Sequence, residues 1–73
     1  EYSVVRFTLE RQGNVMLEVY DISGKRVDVV ADRWYPAGDQ ELNYATGKLE
    51  DGVYFYRMTS GNVTRTAKLI VAK

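Results

Sequence analysis

Apolar side chains in this chain recur at every second position rather than every third or fourth, and that spacing constrains the fold more than any other feature. Val5, Phe7 and Leu9 alternate with Arg6, Thr8 and Glu10, and Val15, Leu17 and Val19 alternate with Met16, Glu18 and Tyr20. A two-residue repeat is that of a strand with one face buried and the other wet. No stretch spaces apolar residues for three turns of amphipathic helix, and there are no heptads, no internal repeat and no low-complexity linker. The chain therefore reads as one all-β unit.

Turn chemistry divides it at intervals of roughly eight to twelve residues. Arg11-Gln12-Gly13-Asn14 reads as the turn of a first hairpin joining the strands at residues 5–9 and 15–19. Asp21-Ile22-Ser23-Gly24-Lys25 reads as a second turn, in which Asp and Ser bond their own backbone and Gly24 takes a left-handed position, opening a third strand through Val27 and Val29. Asp32 to Gly38 reads as an irregular bend between sheets, since Pro36 cannot donate to a ladder and Gly38 suits positive φ. Gln40 to Tyr44 is a strand with Leu42 and Tyr44 on one face, and Leu49 closes the next loop by tucking under one end of the fold. Val53 to Thr59 carries the strongest strand signal, Ser60-Gly61-Asn62 is the last hairpin turn, and Val63 to Ala72 returns with Leu69 and Val71 together on one face. Six or seven antiparallel strands of this kind favour an Ig-like Greek-key β-sandwich over a closed barrel.

With 73 residues and 8.4 kDa the chain makes one small domain, which buries only about 60% of its unfolded surface. It has no cysteine, so packing alone must hold it. Ten basic residues balance ten acidic ones, which gives no field for a phosphate backbone and argues against nucleic acid as a partner. No apolar run approaches the ~18 to 20 residues of a membrane span, so membrane insertion is not expected. Glu1 is not an initiator methionine and no charged segment leads into an apolar stretch, so the chain is expected to be a piece of a longer precursor.

Chemistry has little to work with. There is no histidine, and Ser3, Ser23 and Ser60 lie at a terminus or in turns with no base at a recognisable spacing. Glu50-Asp51 reads as a solvated loop pair rather than an acid/base pair. Asp21, Asp32, Asp39 and Asp51 lack the Asp-x-Asp-x-Asp spacing of a calcium loop, and no cofactor is expected. Asn62-Val63-Thr64 fits a glycosylation acceptor but reads more simply as the hairpin turn.

Seven pieces, in order along almost the whole chain, carry a resemblance. They are Val5-x-Phe-x-Leu9, Gly13-x-Val-x-Leu-x-Val-Tyr-Asp21, Gly24-x-x-Val27, Pro36-Ala-Gly38, Leu49-x-x-Gly-Val-Tyr-Phe-Tyr-Arg57, Gly61 and Thr66-x-Lys68. Together they resemble the C-terminal sorting domain, type A, of cargo of the Bacteroidetes type IX secretion system. That pattern is also similar to the immunoglobulin-like domain of the flagellar hook-capping protein. The Asn-Pro-Asn-Pro-Phe type segment that often precedes the first strand in the family is absent here. The resemblance implies an address, not a catalyst: a domain fused to an N-terminal cargo, read by the type IX translocon after export to the periplasm, and then removed by a sortase-like cysteine peptidase that links the cargo to lipopolysaccharide. It implies a secreted or cell-surface destination. It also carries Gly52, Tyr54 and Phe55 of the Gly-x-Tyr-Phe strand, with Lys68 through Lys73 of the final strand, over as candidate recognition residues.

Each of those residues has a plainer use. Alternation places Val53, Phe55 and Arg57 on one face and Tyr54, Tyr56 and Met58 on the other, and Phe55 is expected in the core. Gly52 suits a turn or a close backbone approach, while Lys68 and Lys73 suit an edge protected against pairing, or an edge that pairs into a dimer. Two further function classes stay open. Trp34 and Tyr35, with Asp32, Asp39, Gln40 and Asn43 nearby, offer a candidate sugar platform for a carbohydrate-binding accessory module, although a packing role for Trp34 is the simpler expectation. The domain also suits a structural Ig-like spacer.

Overall fold

A computed structural model describes residues 2–72 and contains six strands and no helix among them. They are β1 (Tyr2–Leu9), β2 (Gly13–Asp21), β3 (Arg26–Tyr35), β4 (Gly38–Ala45), β5 (Gly52–Ser60) and β6 (Val63–Val71). All neighbours are antiparallel, in a two-stranded sheet β1-β4 and a four-stranded sheet β3-β2-β5-β6. The all-β, two-sheet expectation holds, at the lower strand count.

Two local expectations are borne out in detail. At the β2–β3 turn Asp21 Oδ1 accepts from the Ser23 amide at 2.9 Å, the Ser23 hydroxyl at 2.6 Å and the Lys25 amide at 3.0 Å, while Gly24 sits at φ +87°. In the β5–β6 hairpin Ser60 pairs with Val63, so Gly61 and Asn62 alone make the loop. Gly61 is at φ +56° and Asn62 is not at positive φ, the pattern of a type II′ turn whose twist matches the strands it joins.

Two others are corrected. No hairpin joins β1 to β2; β1 pairs with β4, from Tyr2 opposite Ala45 to Leu9 opposite Gly38. Both edges of β2 are taken by β3 and β5, so residues 10–12 cross from the small sheet to the large one instead. The segment from Asp32 to Gly38 is not irregular throughout: β3 runs to Tyr35, with Arg33, Trp34 and Tyr35 opposite Val15, Asn14 and Gly13. Pro36 falls just past the last pair, where its missing N–H removes no ladder bond, and Gly38 at φ +108° completes the change of sheet.

The core lies between the layers. Val15, Leu17 and Val19 of β2 are at most 2% exposed, and Val5, Leu9, Tyr35, Tyr44, Met58, Leu69 and Val71 close around them. Leu49 is buried at one end, as its place after the loop led us to expect, with its amide bonded to the Thr46 carbonyl at 2.9 Å. A register shift between Leu17 and Glu18 leaves Val30 as an extra residue on β3, and Val30 and Ala31 both turn toward the core. Phe7 meets Tyr35 edge to face at 5.3 Å between ring centres, tying β1 to β3. Across the other end, the Tyr44 hydroxyl of β4 donates to Asp28 Oδ2 of β3 at 2.7 Å and Lys48 Nζ lies 2.9 Å from the same oxygen.

Candidate functional site

The parity of β5 decides which of the expected recognition residues meet. Met58 is buried and Tyr54 and Tyr56 pack against the core, so the opposite parity, Val53, Phe55 and Arg57, faces outward from the large sheet. Phe55 is thus not a core residue. Both faces of this strand carry aromatic rings, and the inner one is chosen because Tyr54 and Tyr56 lie in line with buried Met58.

The candidate residues divide accordingly. Gly52 opens β5 opposite Val71, and Tyr54 turns inward with its hydroxyl donating to the Glu50 carbonyl at 2.7 Å. Tyr54 Cε1 lies 3.9 Å from where a Cβ on Gly52 would be, an ordinary contact, so Gly52 and Tyr54 form a local structural pair. Phe55 and Lys68 are direct cross-strand neighbours on the outer face, with Tyr20 on the other side of Phe55. Lys68 is exposed. Lys73 lies outside the described residues.

One step along the same face stands a group the sequence did not single out. Glu18, directly opposite Arg57, is 6% exposed although it points outward. The Arg26 guanidinium donates to its Oε2 at 3.1 Å, the Tyr20 hydroxyl donates to the same oxygen at 3.0 Å, and Arg57 Nη2 reaches Oε1 at 3.4 Å. Arg57 also donates to the Tyr20 hydroxyl at 2.7 Å and stacks its guanidinium 4.8 Å from that ring's centre. Burial pushes the Glu18 carboxyl up, but the bonds from Arg26 and Tyr20 and the charge of Arg57 outweigh it, and the group is held below its ordinary value. The signal was present only as an acid and an arginine on strands whose register the sequence does not print.

The outer face is therefore apolar and cationic at once. Ile70, 64% exposed, stands opposite Val53 beside the Phe55–Lys68 pair, while Arg26, Arg57 and Lys68 outnumber the one carboxylate of the cluster. Among the described residues β6 pairs only with β5, so its other edge is open.

Trp34 and Tyr35 point to opposite faces. Tyr35 is buried against Phe7, while Trp34 is 54% exposed, so the two rings make no shared sugar platform and Trp34 has no core packing role. Asp32 accepts from the Asn14 amide at 2.9 Å. Ser23 is bonded to Asp21, but that carboxylate oxygen also serves two backbone amides and belongs to the turn. Glu50 and Asp51 are exposed loop residues. Among the described residues no three acidic side chains converge as a metal site would require.

No curated protein and no solved structure matches the chain. The family model of the secretion system C-terminal sorting domain matches residues 3–72, and the chain accordingly belongs to that family, the sorting domains of the type IX secretion system.

Proposed function

We propose that residues 1–73 are the C-terminal address of a longer precursor and that the type IX machinery reads the outer face of the large sheet, where Phe55, Lys68, Tyr20 and Ile70 stand together. The observation that carries this reading is the cross-strand Phe55–Lys68 pair on an exposed, cationic face beside the open edge of β6. A translocon subunit with an acidic-rimmed apolar groove would grip those side chains while its own strand extends the sheet at β6. Gly52 and Tyr54 then act by holding β5 in place, and Lys73, which follows β6 in sequence, is a further cationic candidate. After passage through the outer membrane a sortase-like peptidase cuts ahead of the domain and joins the cargo to lipopolysaccharide. In this role the domain is a substrate, and the family it belongs to is one of addresses rather than catalysts.

The test is a reporter with an ordinary export signal, fused ahead of residues 1–73 and expressed in a bacterium with a type IX system. Deleting Lys68 to Lys73 is the wrong perturbation, because it strips Leu69 and Val71 out of the core and any loss of delivery would report unfolding. Lys68→Glu and Phe55→Ser leave the core intact. Surface delivery by the parent fusion that drops at least about tenfold in the double variant, with an unchanged circular dichroism spectrum, is expected. Retention of the parent fusion in the periplasm overturns the address reading; delivery of the double variant at the parental level overturns the choice of face.

A further inference from the structure

The small sheet leaves part of the large one uncovered. On β6, Arg65 and Ala67 share the face of Leu69 and Val71, yet only the latter two are buried. Above the exposed half lies an open slot of about 680 Å³ between β1 and β6, floored by Tyr56, Met58 and Ala67 and walled by Val5 and Phe7. The wall is a strand edge: β1 pairs with β4 on one side and with no strand of the described residues on the other. Strands lie about 4.8 Å apart within a sheet, so a third strand beside β1 sits directly over this floor.

We infer that the slot between β1 and β6 receives an extended polypeptide segment of a partner, one that adds to β1 as a third strand, points alternate apolar side chains onto Tyr56, Met58 and Ala67, and sets a carboxylate against Arg65. Two observations select this occupant. Arg65 is a cation facing the slot with no hydrogen-bond or ion-pair partner among the described residues, and although Glu10 lines the same slot, no ion pair joins them. A second folded copy pairing antiparallel along β1 would bring its own large sheet to the side where β5 and β6 already overhang. An isolated strand meets no such obstacle. Main-chain bonds to β1 supply the affinity and the floor and Arg65 supply the selection. This surface lies on the opposite side of the large sheet from Phe55 and Lys68, so the two readings stand or fall separately.

The probe is a decapeptide alternating valine with threonine, with one inward valine replaced by aspartate, titrated into the isotope-labelled chain and followed by amide shifts and hydrogen exchange. Slowed exchange along β1, shifts at Tyr56, Arg65 and Ala67, and an affinity that falls about fivefold in Arg65→Glu and returns when the peptide carries lysine in place of aspartate are expected. Any of four results overturns the inference: shifts confined to the edges of β3 or β6, equal affinity for Arg65→Glu without charge-swap rescue, no binding at millimolar peptide, or β1 amides just as protected before peptide is added.

Discussion

At the scale of single residues, side-chain direction matters more than side-chain size. Phe55 is larger than Met58, but Met58 is 6% exposed in the core and Phe55 half-buried on the outer face. Met58→Ala should therefore cost about 2 to 4 kcal/mol and Phe55→Ala less than about 1.5, an order that urea unfolding checks directly. Glu18 gives a second residue-scale prediction. A carboxyl held below its ordinary value in the folded state contributes stability above that value and loses it as pH falls through the folded one. Glu18 and Asp28 are both held below their ordinary 4.5 and 3.8, Asp28 because the bonds from Lys48 and Tyr44 outweigh its burial. The melting temperature should be level from about pH 8 to about pH 5 and fall in more acid solution. Glu18→Gln should melt lower at neutral pH and show a shallower acid decline, and a variant with the parental acid profile would remove Glu18 from the account.

At the scale of elements, the β2–β3 and β5–β6 hairpins were legible, whereas the expected β1–β2 hairpin is absent and the partner of β1 was not legible. The β2–β3 and β5–β6 turns are set by Asp21, Gly24 and Gly61 acting within a few residues of themselves, so their chemistry is written locally. The partner of β1 is not local: alternation in Val5, Phe7 and Leu9 states that one face is buried but not which strand lies alongside, and the true partner is β4, about 30 to 40 residues further along the chain. The same gap hid the Glu18–Arg57 contact and led Phe55 to be expected in the core, where Tyr54, Tyr56 and Met58 stand instead. Because the turns are local, their cost is testable by single changes. Gly61→Ala forces a side chain into left-handed backbone with open space around it, so it should destabilise by about 1 kcal/mol through strain alone, read as a lower urea midpoint at unchanged slope.

At the scale of the whole molecule, six strands held by packing alone give a domain with roughly 4 to 10 kcal/mol in hand. Leu17→Ala, at a site 2% exposed, should use up about 3 of them and bring the melting temperature down by more than about 10 °C in calorimetry. Two of the four strand pairings, β1–β4 and β2–β5, join segments distant in sequence, and refolding after denaturant dilution should relax in milliseconds to seconds rather than microseconds. One consequence concerns the order in which the ribosome delivers these pieces. Leu69 and Val71 belong to the last strand and to the core at once, so no earlier portion of the chain closes the sandwich. A nascent polypeptide halted before that point holds no finished tag to be recognised. The fold thereby makes synthesis of β6 a condition of a closed domain.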